Sequence, residues 1–166
     1  MITTTWSERS VEQARLLNPA FLGTLVWSGA RGYAMAAREN QPFAISFLIA
    51  PLVLHKSTRE SLPPSTRTSL VAWLGANTRV QVGFCDRATA LVPLVKEAIL
   101  FASNAGMIQI KETRIVAARR PPAMAKIDRE ASFEVNSCMM KAEFVGKWIA
   151  RSGDYRTVMA LWGVSP

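Results

Sequence analysis

The run Phe43–Leu54, FAISFLIAPLVL, constrains the fold of this chain more tightly than any other segment. Its twelve residues include one polar side chain, Ser46. A run of that character has to be buried, yet it is too short to cross a bilayer, and Pro51 stands near its end. Periodicity leaves strand and helix both open. The length, and Pro42 at a position that suits the first turn of a helix, point to a buried helix. The run passes without a spacer into His55-Lys56-Ser57-Thr58-Arg59-Glu60-Ser61. A buried rod would thus deliver a cationic corner to the surface.

Around this rod the sequence predicts a mainly α fold with a small β-hairpin, a winged-helix-like core carrying N- and C-terminal helices. Ser10 and Gln13 have the spacing of a capping box and predict a short helix over Val11–Leu17. Asn18-Pro19 starts a second helix, with Phe21, Leu22, Leu25, Val26 and Tyr33 as its buried stripe. Gly23, Gly29, Gly32 and several alanines make that helix thin enough for another helix to approach closely, from this chain or from a partner. A helix is predicted over Ser65–Asn77, an edge strand or a loop over the core at 79–84, and a helix over Arg87–Ser103 that Pro93 either kinks or delays. Met107–Lys111 and Thr113–Ala117 alternate as a hairpin. Beyond a linker lasting to about Ala131, Phe133, Met140, Phe144 and Trp148 share one face of a last long helix, Ser132–Arg151. The segments divide as an N-terminal helical arm over 1–40, a winged-helix-like core with hairpin over 41–120, and a linker with C-terminal helices over 121–166.

At 166 residues, with 49% hydrophobic residues and a mean hydropathy of +0.13, some apolar surface should stay exposed, which favours a subunit of a larger assembly. Enzyme chemistry lacks residues. One histidine cannot build a His-paired metal site, Cys85 and Cys138 stand apart, and no GxGxxG or GxxxxGK[ST] motif occurs. Neither a catalytic site, a metal nor a cofactor is expected, and the two cysteines read as reduced, mostly buried thiols. The N-terminus lacks a signal-peptide pattern, so a cytoplasmic protein without a membrane segment is expected.

The net charge of +8 and pI of about 10.2 admit nucleic acid or an acidic partner. Two cationic sets offer themselves. Lys111, Arg114, Arg119 and Arg120 lie in or just beyond the hairpin, as candidate phosphate contacts or as a solvated basic edge. The preceding helix carries few base-reading groups, namely Arg87, Thr89, Lys96 and Ser103, which weakens sequence-specific readout. His55, Lys56, Arg59 and Arg67 form the second set, either clasping an acidic partner or pairing internally with Glu60, Glu97 or Asp86. Trp162, beside Leu161 and Val164, is either an anchor within the domain or an interface hot spot.

Several segments carry a resemblance: Leu16–Phe21, Pro51–Lys56 with Thr58-Arg59, Ser65–Leu70 with Trp73, Lys96–Phe101, and Ala160–Pro166. In their order and spacing the chain resembles the middle component of three-component ABC-ATPase conflict systems and is similar to the small third subunit of Lamassu-type antiphage defence. That resemblance implies a non-catalytic adaptor joining an SMC/Rad50-like ABC ATPase to an effector, often a nuclease, with DNA met through the complex. It marks His55, Lys56, Arg59 and Arg67 as interface candidates. Trp162 departs from it, since a leucine is expected before Gly163. The alternatives are a free-standing winged-helix DNA-binding regulator and, most weakly, a small enzyme.

Overall fold

The computed structural model describes residues 17–119, 121, 124 and 131–165. The helix expected over Val11–Leu17 therefore falls almost wholly outside the described residues, as does Arg120. Helix α1 spans Pro19–Ala37; the Asn18 side chain caps it by accepting the Ala20 N–H, and Arg38, left-handed at φ 58°, closes it. A short strand β1 (Gln41–Pro42) and a 3-10 turn (Phe43–Ile45) lead into α2 (Ser46–Leu54). The apolar run is thus helical, as its length predicted, with Pro51 accommodated inside α2. The polar corner forms its own short helix, α3 (Lys56–Ser61).

Helix α4 covers only Leu70–Ala76, because Ser65–Ser69 stays in turns and Ser69, not Ser65, supplies the cap. Of the edge strand and the loop left open for 79–84, the structure forms no strand there. Thr78–Val80 is a 3-10 turn and Phe84 already begins α5 (Phe84–Asn104). Alternation there reflects a turn with Val80 buried and Val82 exposed, not a pleat. Pro93 does not delay α5, whose start is set by Gly83 at φ 64°. The hairpin is β2 (Ile108–Lys111) and β3 (Arg114–Ala117), closed by a two-residue turn in which Glu112 takes φ 55°. Helices α6 (Phe133–Ala150) and α7 (Tyr155–Leu161) finish the chain, capped by Ser132 and Asp154.

Strand β1 pairs antiparallel with β3, Gln41 opposite Ile115, so the sheet has the order β1-β3-β2. A strand after the first helix that joins the outer hairpin is compatible with a winged-helix arrangement.

Helix α1 is the partition of the molecule. Leu22, Leu25 and Tyr33 face one core with Ile49, Leu52, Trp73, Phe84, Val145 and Trp148. Val26, Trp27 and Ala30 face a second core with Val95, Ile99, Ile108 and Ile115. The described part of the 1–40 arm is thus central, and the three sequence segments share their cores.

The small residues of α1 serve neighbours in this chain. A methyl on Gly23 would touch α5 at the Ala98 carbonyl, 3.3 Å away, and one on Gly29 would meet the Ile49 side chain of α2 at 2.9 Å. At Gly32 it would lie 2.9 Å from the Glu143 carbonyl carbon of α6 and closer still to its oxygen. Gly146 of α6 answers in kind: a methyl there would stand 2.9 Å from both the Gly29 carbonyl carbon and the Tyr33 nitrogen. The two backbones are in contact across these glycines, and no rotamer change can relieve an added methyl. Gly32→Ala and Gly146→Ala should each lose on the order of 3 kcal/mol in urea unfolding. Gly75→Ala, in α4 with nothing within 4 Å, should gain about 0.5 kcal/mol. Equal effects at the three positions would contradict the backbone contact.

Candidate partner-binding surface

The cationic corner does not stay together. His55 ends α2 in an extended conformation (φ −78°, ψ 106°) and α3 turns back, burying Thr58 and Arg59. Arg59 is 4% exposed. Its guanidinium donates to the Val53 carbonyl at 2.5 Å and pairs with the Glu134 carboxylate in the first turn of α6. Val53 O belongs to the last turn of α2, where carbonyls have no helical donor, so Arg59 acts as the helix's C-terminal cap and as a strut to α6. Burial pushes the neighbouring Cys138 thiol up in pKa, an effect that the Arg59 charge opposes. Internal pairing was one of the two expected outcomes, but its acid is Glu134, far along the chain, and not one of the nearby candidates. Arg59 is accordingly corrected from an interface candidate to an internal strut.

Lys56 remains at the surface, paired loosely with Glu60 at 3.9 Å. His55 is exposed and its Nδ1 lies 2.8 Å from Thr58 Oγ1 and 3.2 Å from Ser57 Oγ. Partial burial, and then the nearby Arg87 charge, lower its pKa below the ordinary 6.5. Arg67 lies apart from them in the 62–69 loop, which the Trp148 indole fastens by donating to Thr68 O at 2.7 Å. The Trp73 indole secures the preceding turn at Ser61 O, 3.2 Å away.

Trp162 is 2% exposed, packed on Phe84 (4.6 Å between centroids) and Trp73 (6.2 Å). A residue enclosed in this way is an anchor within the domain, which corrects the interface reading. Of the five proposed partner-binding residues, His55, Lys56 and Arg67 are available on the surface and Arg59 and Trp162 are not.

The hairpin set divides likewise. Lys111 and Arg119 are exposed. Arg114 instead donates to Asn40 O at 2.6 Å and pairs with Glu39 at 3.2 Å, tying β3 to the end of α1. On α5, Arg87 is spent on the carbonyls of Val82 (2.9 Å) and Val80 (3.2 Å). The exposed α5 positions include Asp86, Thr89, Lys96 and Leu100, a poor set for reading base edges.

Sequence reasoning missed where the apolar surface lies. Phe133 is 89% exposed and Met140 74%, although α6 periodicity placed both on the face of Phe144 and Trp148. The stripe is real, but only its C-terminal half is covered: Trp148 is in the core, while Phe133 and Met140, two turns apart, face solvent among the described residues. Leu100, Val82 and Val71 are exposed as well. Phe43, Phe47, Ala88 and Val92 line an apolar groove of about 480 Å³, together with Gly163 and Val164. Cys85, expected buried, is exposed at this groove and donates its thiol hydrogen to Gly163 O at 2.6 Å. Among the described residues no group of three His, Cys, Asp or Glu side chains could hold a metal ion, and no helix is long and apolar enough to cross a membrane.

Residues 6–166 match the model of a protein family described as MC3, ABC-three component (ABC-3C) system Middle Component 3. Comparison with curated proteins and with solved structures gives no match.

Arg59→Ala should lower the unfolding free energy by about 2–3 kcal/mol, since it strands a buried carbonyl and removes the tie to α6, whereas Lys56→Ala should be nearly neutral. A denaturation midpoint unchanged by Arg59→Ala would return this side chain to the surface. For His55, the folded pKa lies below the unfolded 6.5, so the unfolded chain binds more protons in the intervening window. The stability contributed by the neutral imidazole is present above pH 6.5 and is lost as pH falls through the folded value. His55→Asn should flatten this part of the stability–pH curve in chemical denaturation. An identical slope in wild type and variant would dissociate His55 from it.

Proposed function

The chain belongs to the middle component 3 family of ABC-three component systems, and from that premise we propose that it is a non-catalytic adaptor that holds an effector against an SMC/Rad50-like ABC ATPase. The family match over residues 6–166 carries this reading. The setting would be antiphage or related conflict defence, of the kind to which Lamassu systems belong, in the cytoplasm. The exposed apolar side chains support it: Phe133 and Met140, two turns apart on α6, are large and exposed, as a surface awaiting another subunit would be. His55 and Lys56 flank the N-terminal end of α3 and remain as polar contacts for a partner.

A free-standing winged-helix regulator is favoured by the β1-β3-β2 strand order alone. Against it, Arg114 and Arg87 are committed to carbonyls of their own chain, which leaves Lys111 and Arg119 as the described cations of the hairpin region that face solvent.

Co-expression with the ATPase and effector of the same system tests the adaptor reading. Wild type should co-purify with both, and Phe133→Asp with Met140→Asp should reduce recovery of at least one partner about tenfold or more without changing the melting temperature. A chain that is monodisperse alone, ignores both partners and binds duplex DNA with strong sequence preference would overturn the adaptor and favour the regulator. In that event Lys111→Glu should weaken duplex binding and lower its salt slope by about one.

A further inference from the structure

We propose that Arg67 and Arg151 form a binding site for a phosphate group in the cleft between the 62–69 loop and the C-terminal end of α6. The two arginines line one cleft of about 430 Å³, with Thr66, Thr68 and Ser69 beside them. Both guanidinium-bearing residues are exposed, and among the described residues neither forms an ion pair with a carboxylate. Two cations held over one concavity without an acid repel each other, and an anion between them removes that cost.

The hydroxyls point to the same class of ligand. Thr66 Oγ1 accepts from Arg151 Nη1 at 2.8 Å, and Ser69 Oγ accepts the Ala72 N–H at 3.4 Å as the cap of α4. Each oxygen is already an acceptor to its own chain, so its hydroxyl hydrogen is left to donate outward. The cleft therefore presents donors: two planar guanidinium forks and two hydroxyls. A carboxylate has two oxygens in one plane to offer such a set, whereas inorganic phosphate or a terminal phosphate has three or more, and a strand phosphodiester sets its two free oxygens on a tetrahedral centre, so that both forks can be met at once. The arrangement is also prebuilt. Arg151 is tied to Thr66, and the loop beneath is fastened by the Trp148 indole on Thr68 O, so little ordering remains for the ligand to impose. Nothing here depends on the adaptor reading, since the site lies in a loop and helix end that α6's exposed apolar stripe does not include.

Trp148 reports on the site, because its indole N–H ends on the cleft wall at Thr68 O, 2.7 Å away. The full chain, labelled with ¹⁵N, is titrated with inorganic phosphate, with ATP and with a short duplex of random sequence, at constant ionic strength held by chloride. A saturable shift of the Trp148 indole signal is expected. Arg67→Glu should weaken the phosphate response on the order of tenfold or more at an unchanged melting temperature. Arg79→Glu removes the same charge at an exposed residue outside the cleft lining and should leave that response as in wild type. Should Arg67→Glu fail to give the native spectrum before ligand is added, Arg67→Gln takes its place with the same expectation. Tighter, salt-dependent binding of the duplex identifies a strand phosphate as the source, and tighter binding of ATP identifies a nucleotide; either outcome supports the site. No saturable response to any of the three probes, or equal weakening by Arg67→Glu and Arg79→Glu, overturns it.

Discussion

The contact between the backbones of α1 and α6 at Gly29, Gly32 and Gly146 is the constraint on which the rest of the structure depends. Side chains cannot mediate a crossing this close; main-chain atoms meet instead, and dispersion between them is gained only while every methyl is withheld. With α6 seated there, its C-terminal end brings Trp148 under the 62–69 loop, and its first turn brings Glu134 to Arg59. The same helix α1 receives α2 at Gly29 and α5 at Gly23, so one thin helix spaces three neighbours.

A chain of aromatic contacts completes what that crossing begins. Trp73 stands edge-on to Trp148 at 5.1 Å and near Trp162 at 6.2 Å, and Trp162 in turn lies on Phe84 at 4.6 Å. These rings join α4, α5, α6 and the end of α7, elements too short or too amphipathic to be stable singly. Three indole N–H groups, from Trp27, Trp73 and Trp148, end on the carbonyls of Ala118, of Ser61 at the end of α3, and of Thr68. The connections with least secondary structure are thus held by the largest side chains. The chain belongs to the middle components of a multi-component system, and in a frame held in this way the exposed half of α6 and the cleft at Arg67 lie on elements tied to the core.

Much of the architecture was legible from residues near one another in sequence. The cap at Asn18, the apolar run becoming α2, the hairpin at 108–117 and the small-residue character of α1 all express local rules, and the structure follows them. The errors were local too, where two periods compete. Residues 79–84 alternate in polarity, but Gly83 in the left-handed region and the pull of α5 toward Phe84 turn them into a helix start. The candidate surface was much less legible. Arg59 and Arg67 belong to one cationic stretch in the sequence; the fold buries one and exposes the other, because α3 turns inward and the loop after it runs over α6.

By itself, then, the sequence determined the long helices at 19–37, 84–104 and 133–150 to within a few residues, which pair would form a hairpin, and that α1 would be approached closely. It determined the overall positive charge and, through the order of its segments, the family. Tertiary structure decided which helices approach α1, which half of the α6 stripe is covered, and where each cation ends. The reason is the same in each case: Arg59 and Glu134, or Arg151 and Thr66, which are 85 residues apart, meet only because long-range packing brings their helices together. A charge's role depends on the carboxylate, carbonyl or water it faces, and that neighbour is supplied by the fold.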